Sequence, residues 1–231
     1  PISVIEETDY PFDETIYFTV QTPKQVQFPL ELRIPAWADQ ADIYINGRKW
    51  TGSKSEPGKM VAIDRTWSDG DTVTLQLPME VRVSRWAEMS AGIERGPLVY
   101  ALKIDERWEA KPAEKDNWRI KYPYKEVYPK GPWNYGLTEE SIKEKDFDLA
   151  YDESKSGQYP WNLENVPVKL KTKAKRVAEW KKYQHSAGPL PVSNQYTYGQ
   201  GNGTADIEAE EVTLVPYGAT TLRISEFPVV R

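Results

Sequence analysis

Hydrophobic and polar residues alternate with a period of two through much of the first hundred positions. In Thr15 to Val20, Ile16, Phe18 and Val20 alternate with Thr15, Tyr17 and Thr19. In Phe28 to Ile34, Leu30, Leu32 and Ile34 alternate with Glu31 and Arg33. In Thr72 to Leu77, Val73, Leu75 and Leu77 alternate with Thr72, Thr74 and Gln76. This period marks strands with one buried and one wet face. The run from Asp42 to Arg48 carries Asn46-Gly47, the signal for a tight type I′ hairpin. Pro57-Gly58 and Asp69-Gly70 mark two further turns. Short strands separated by regular turn signals predict an antiparallel β-sandwich over residues 1–96.

The texture changes at Gly96-Pro97. Leu98 to Ile104 is nearly apolar throughout, the pattern of a central strand. Residues 105–165 follow, rich in Pro, Trp, Tyr and charge, and are expected to be largely irregular. Within them, Thr138 to Lys145 opens on Thr-Glu-Glu-Ser and predicts a short capped helix. A stretch of this length without regular structure is usually functional or an insertion. Alternation returns at Val168 and Leu170, which are interleaved with lysines. Strands are expected at Glu211 to Val215 and Thr220 to Ser225, joined through Pro216-Tyr217-Gly218, and sharing a sheet with 98–104. The prediction is an all-β chain of two antiparallel, jelly-roll-like sandwiches, 1–96 and 97–231, with one or two short helices at most. Gly-Pro recurs at 96, 131 and 188, but the flanking residues do not repeat as units.

Composition narrows the function. The net charge is −5, which argues against a nucleic-acid partner, since that normally needs a basic field. No apolar run approaches the roughly 20 residues of a membrane-spanning helix, so no membrane partner is expected. There is no cysteine, so disulfides, thiolate metal sites and cysteine nucleophiles are excluded. No cofactor is expected. The chain opens on Pro1-Ile2-Ser3-Val4 without an initiator Met, which predicts a piece of a longer protein with any targeting segment left upstream. Nine Trp and fourteen Tyr outnumber five Phe. Both join an apolar face to a polar tip and suit interfaces and sugar faces as well as cores.

Several residues could carry chemistry, and each has a plainer reading. His185, the only histidine, could be a general base, but alone it cannot build a multi-histidine metal site. Asp64, Ser68, Asp69 and Asp71 could offer oxygens to Ca²⁺, yet EF-hand spacing is absent and turn closure is favoured. Glycosidases use paired carboxylates, but Glu139-Glu140 and Glu210-Glu211 are adjacent pairs and are read as solvated. Lys169, Lys171, Lys173 and Lys175 could form a basic helix face. The strand reading wins, with the lysines on one wet face guarding an exposed edge. Asn202-Gly203-Thr204 fits a glycosylation acceptor, and Gly199 to Gly203 reads as a surface loop.

The aromatic residues of 105–165 are the best binding candidates. They include Trp108, Trp118, Trp133 and Trp161 with Tyr122, Tyr124, Tyr128, Tyr135 and Tyr159. They could fill a core, face another domain, or stack on sugar rings. Trp133, Asn134 and Tyr135, with Trp118 and Trp161, are the residues singled out for sugar or interdomain contact.

Five stretches resemble the C-terminal region of glycoside hydrolase family 127, the β-L-arabinofuranosidase family. They are Phe28 to Trp37 (FPLELRIPAW), Ile45-Asn46-Gly47, Ile63 to Asp71, Glu94 to Tyr100 (ERGPLVY), and Thr213 to Gly218 with Leu222 to Pro228. Residues around Pro132 to Tyr135 and Ala187 to Pro191 look like an uncharacterised C-terminal module of some bacterial relatives. The resemblance implies a secreted or periplasmic parent enzyme with an N-terminal catalytic (α/α)6 barrel followed by β-sandwiches. Characterised members use a cysteine nucleophile beside a cysteine-ligated zinc. With no cysteine here, none of those catalytic residues carries over to this chain. The reading is therefore a non-catalytic β portion of a hydrolase for arabinose-containing plant polysaccharide, partnered by its own barrel. Two alternatives remain: a carbohydrate-binding module using the aromatics of 105–165, and a freestanding hydrolase with a carboxylate pair.

Overall fold

A computed structural model describes residues 1–52, 54–114, 121–155, 157–193 and 207–231. It is all-β, with twenty strands and a single α-helix among the described residues. The chain divides into two compact units: Pro1–Glu80 with Arg95–Pro97, and Val81–Glu94 with Leu98–Arg231.

The first unit holds β1 (Ser3–Thr8), β2 (Thr15–Gln21), β3 (Val26–Arg33), β4 (Asp42–Ile45), β5 (Arg48–Lys49), β6 (Met60–Trp67) and β7 (Thr72–Gln76). Five of these form a sheet in the order β1-β2-β7-β4-β5, while β3 pairs with β6 alone. Alternation sends one face of each strand inward. Val20, Ile43, Val73 and Leu75 from the five-stranded sheet join Leu32, Val61, Ile63 and Trp67 from the pair in one buried cluster. At roughly 1.5–3 kcal/mol for each large apolar side chain, this cluster is the main stabilising term of the unit. The β4–β5 turn is the predicted type I′ hairpin, with Asn46 and Gly47 at φ 49° and 75°.

Two ionic ties complete this unit. Arg95 is nearly buried, and its guanidinium meets the Glu14 carboxylate at 2.6 Å. The same carboxylate oxygen accepts from the Met79 amide at 3.1 Å. Asp71 is also buried; it accepts from the Ser68 amide at 2.9 Å and from the Asn46 side chain at 2.8 Å.

The second unit holds β8 (Val81–Arg85), β9 (Ala91–Arg95, whose last residue belongs to the first unit), β10 (Leu98–Leu102), β11 (Glu106–Lys111) and β12 (Tyr124–Pro129). Next come β13 (Tyr135–Thr138), α1 (Glu139–Glu144), β14 (Asp148–Tyr151), β15 (Val168–Arg176), β16 (Lys182–Tyr183) and β17 (Ser186–Ala187). The chain ends with β18 (Glu210–Pro216), β19 (Glu226–Phe227) and β20 (Val229–Val230). Nine of these make one sheet in the order β19-β9-β10-β18-β15-β13-β20, with β14 beside β15 and β8 beside β9. As its apolar run predicts, β10 is interior and almost wholly buried. Its neighbour β18 supplies the terminal-strand partner expected for it. The helix is capped as predicted, with the Thr138 side chain accepting from the Ser141 amide.

Three differences from the sequence reading have physical causes. Residues 105–165 are not all irregular, for they contain the β11–β12 hairpin, β13, α1 and β14. The charged pattern of β11 hid it, because Arg107, Glu109 and Lys111 pair ionically along the strand and across to Glu126 instead of alternating apolar and polar. Residues 220–225 are not a strand. The Glu106 carboxylate accepts from the Thr221 amide at 2.7 Å and from the Leu222 amide at 3.2 Å. Arg223 turns back onto the Tyr217 and Thr220 carbonyls at 3.2 and 3.0 Å. Those groups are therefore held in a loop, and strand pairing resumes only at β19. Finally, β15 is a strand with buried Val168, Leu170, Thr172 and Ala174, but it is not an edge. It has β18 on one side and β13 and β14 on the other. Its lysines line the wet face of an interior strand, where Lys171 meets Glu211 at 2.8 Å.

Candidate functional site

Within the second unit a cleft of about 230 Å³ opens between four chain segments. Ile104 forms one part of its floor, just beyond β10. Val127, Tyr128 and Pro129 come from β12, and Trp133 from the loop after it. The β16–β17 hairpin contributes Lys182, His185, Ser186 and Ala187, and the loop before β19 contributes Leu222, Arg223 and Ile224.

Each wall is fixed by local chemistry. Trp133 stands edge-on to the buried Trp180, with centroids 5.2 Å apart and planes at 70°. Trp180 in turn donates its indole N–H to the Gly188 carbonyl at 3.0 Å, and the Gly188 amide bonds the Lys181 carbonyl at 2.9 Å. A side chain at Gly188 would sit 2.5 Å from that carbonyl oxygen, so the approach requires glycine. These bonds pin the stem of the β16–β17 hairpin. Its two turn residues, Gln184 and His185, both take left-handed conformations at φ 46° and 66°. Two non-glycine residues in that region impose strain, so the turn is held by its surroundings. On the opposite wall the Tyr128 hydroxyl donates to Glu126, and Arg107 lies over its ring at 4.8 Å.

The candidate residues separate clearly. Trp133 lines the cleft. Asn134 does not, and its amide is already committed. It donates to the Val177 and Trp180 carbonyls at 2.8 and 3.2 Å and accepts from Arg176 at 3.1 Å. Tyr135 is buried under Arg176, 5.3 Å from its ring centroid. Burial, with the Glu210 carboxylate beside its hydroxyl, raises the Tyr135 pKa above the usual phenol value. Trp161 lies against Gly218, where any side chain would meet its ring at 2.8 Å. Trp118 lies outside the described residues, as do Asn202-Gly203-Thr204 and Gly199 to Gly203.

The other constellations resolve into structural roles. Asp71 ties its own turn, and the Asp69 carboxylate accepts from the Thr22 amide at 3.0 Å. Asp64 accepts from the Gln27 side-chain amide at 3.4 Å. Among the described residues no group of three or more His, Asp or Glu converges as a metal site would require. Glu139 pairs with Lys143 at 3.0 Å and Arg231 at 3.3 Å, and those partners hold its carboxyl below the usual range. Glu211 is paired to Lys171.

Sequence reasoning missed one carboxylate pair. Glu109 and Glu126 face each other directly across the β11–β12 hairpin. Lys111 bridges them at 2.9 and 3.3 Å. The Tyr128 hydroxyl foremost, then Lys111 and the Tyr124 hydroxyl, lower the Glu126 pKa. A glycosidase acid needs its pKa raised by burial. Here the pair is neutralised by a cation and lies outside the cleft lining, so its environment suits cross-strand pairing. The cross-strand register, not the spacing along the chain, brings these two together.

Comparison with known proteins places this geometry. Residues 1–79 match the family model described as beta-L-arabinofuranosidase, GH127 middle domain. The whole chain superposes on a solved glycoside hydrolase with a TM-score of 0.59 at 21% identity, covering 100% of this chain and 32% of that one. A GH127 beta-L-arabinofuranosidase from Geobacillus stearothermophilus T6 gives a TM-score of 0.59 at 23% identity, covering 99% and 30%. A further GH127 beta-arabinofuranosidase gives 0.58 at 17% identity, covering 99% and 32%. At these identities the likeness is one of fold. The chain spans about a third of the length of each of these structures. No curated protein matches the chain in sequence. The matching model is that of a middle domain, whereas the sequence stretches were read as C-terminal.

Proposed function

We propose that this chain is the non-catalytic β portion of a larger glycoside hydrolase acting on arabinose-containing polysaccharide. In this reading, sandwiches 1–96 and 97–231 follow an N-terminal (α/α)6 catalytic barrel and support it, and the second carries the C-terminal module. A polysaccharide substrate would place the parent enzyme outside the cytoplasm, secreted or periplasmic. The observation that carries the proposal is the superposition of this whole chain on about a third of several solved glycoside hydrolases. The middle-domain match over residues 1–79 supports it. So does the lack of cysteine, given the cysteine chemistry that the resemblance implies.

A supporting role has a measurable consequence. Anything that binds the folded barrel but not the unfolded one raises its melting temperature. Deleting these 231 residues from the parent enzyme is expected to lower the melting temperature of the barrel. Residual hydrolysis should survive at low temperature. An unchanged melting temperature would contradict support, and complete loss of hydrolysis by a folded barrel would contradict the non-catalytic assignment.

A second reading is favoured by the cleft itself. Trp133 and Tyr128 present aromatic surface beside Ser186, His185, Lys182 and Arg223. Aromatic faces flanked by a few polar groups suit a sugar ring with its hydroxyls. The chain would then touch polysaccharide directly as well as support the enzyme.

A further inference from the structure

We infer that the cleft of the second unit recognises a carboxylate-bearing sugar, a uronic acid unit of an acidic polysaccharide, in preference to a neutral one. The inference rests on the second reading above, that the cleft takes a sugar at all. Its ground is the charge of the lining. The basic side chains there are Lys182, His185 and Arg223, Tyr128 is the other titratable group, and no Asp or Glu lines the cleft. The protein as a whole has the opposite balance, with 35 acidic against 30 basic residues.

Several cations elsewhere in this unit are matched. Lys103 meets Asp105 at 2.9 Å, Lys143 meets Glu139 at 3.0 Å and Lys171 meets Glu211 at 2.8 Å. Among the described residues, neither Lys182 nor Arg223 has an ion pair. Unmatched cations in a concave site concentrate the field and favour an anion.

Arg223 is also preorganised. Its Nε donates to the Tyr217 and Thr220 carbonyls, and its guanidinium lies 4.6 Å from the Tyr217 ring centroid. Little side-chain freedom is left to lose on binding. Its two terminal nitrogens remain for a planar, bidentate acceptor, which a carboxylate matches and a hydroxyl does not. Trp133 supplies the flat surface that a sugar ring stacks on. The volume of about 230 Å³ is below the roughly 300 Å³ at which drug-sized pockets begin, so it suits a single sugar unit.

The test is calorimetric titration of the whole chain with trigalacturonic acid, its fully methyl-esterified form and a neutral arabinotriose. The acid is expected to bind, with the ester at least about tenfold weaker, as loss of one charge-assisted contact predicts. Raising the salt concentration should weaken the acid selectively. Lys182→Gln is an exposed change that should leave the fold intact by circular dichroism and weaken the acid several-fold. Arg223→Lys should weaken it as well, because the fork is lost while the charge remains. Equal affinity for acid and ester would overturn the inference while leaving sugar binding in place. Binding of none of the three would overturn both. Acid binding untouched by Lys182→Gln and Arg223→Lys would also overturn it, since the anion would then sit elsewhere.

Discussion

Asp71 and Glu106 both act structurally by collecting hydrogen-bond donors, Asp71 from the Ser68 amide and the Asn46 side chain, Glu106 from the tail amides. Burial pushes the Asp71 carboxyl up, but the Ser68 amide, the Asn46 side chain and Arg65 outweigh it and hold the pKa below the usual value. A group lowered in this way binds its proton more weakly when folded than when unfolded. Its stabilisation is complete above about pH 4, the ordinary aspartate value, and is lost as pH falls through the lower folded value. Asp71→Asn is expected to cost about 1–3 kcal/mol at neutral pH, the range for removing one partner of a buried charged hydrogen bond. The deficit should shrink as the pH is lowered below 4. Urea midpoints at neutral and acid pH measure this, and an equal loss at both would show that charge is not involved. Glu106→Ala removes an acceptor shared by Thr221, Leu222 and the Thr220 hydroxyl. We expect a loss of about 2 kcal/mol. Amide exchange should quicken at Thr221 and Leu222 and stay slow in β18. The Asp-Gly context made the turn at 69–70 legible from sequence. The reach of Glu106 across more than a hundred residues was not, because only the fold brings it to the tail.

Among the elements, those with a period of two were the most legible. The strands β2, β3 and β7 appear where the alternation put them, and Asn46-Gly47 turns as its dipeptide predicts. Where charges pair across strands, as in β11 and β12, alternation no longer reports the fold. The tail failed for the converse reason. Thr220 to Ser225 has strand-like residues, yet the Glu106 and Arg223 contacts offer its backbone better partners than a ladder. Close packing was also invisible from sequence. Gly136 lies in β13 between β15 and β20, where an added Cβ would stand 2.6 Å from a Val230 methyl and 2.8 Å from the Pro228 carbonyl oxygen. Gly136→Ala is therefore expected to destabilise by about 1–3 kcal/mol through overpacking. In a chain of this size that lowers the melting temperature by roughly 2–4 °C for each kcal/mol. A calorimetric scan measures it, and an unchanged melting temperature would mean that the terminal strand moves aside freely. The same packing around Trp180 and Val230 explains why Trp133 lines the cleft and Asn134 does not. One aromatic edge stays accessible, while the neighbouring amide is spent on three internal bonds.

For the molecule as a whole, composition said what the chain lacks and pattern said how it folds, while the correspondence to part of a larger protein came from comparison. Absence of cysteine and the strand periodicity were legible from the residues alone. That the fold corresponds to about a third of larger glycoside hydrolases required the three-dimensional match. Several carboxylates of the 105–165 region are tied to cations or to N–H and O–H donors, as Glu109 and Glu126 are to Lys111 and Glu106 is to the Thr221 and Leu222 amides. Among the described residues, none of these arrangements separates an acid of raised pKa from an ionised base in a common cleft, as a carboxylate-pair glycosidase does. The central proposal is that the chain folds on its own and carries no glycosidase chemistry. The direct measurement is the release of nitrophenol from a nitrophenyl β-L-arabinofuranoside by the purified, folded 231-residue chain. No turnover above the uncatalysed rate is predicted. Turnover that persists through purification and is abolished by Glu109→Gln or Glu126→Gln would contradict the account and make the hairpin pair an active site.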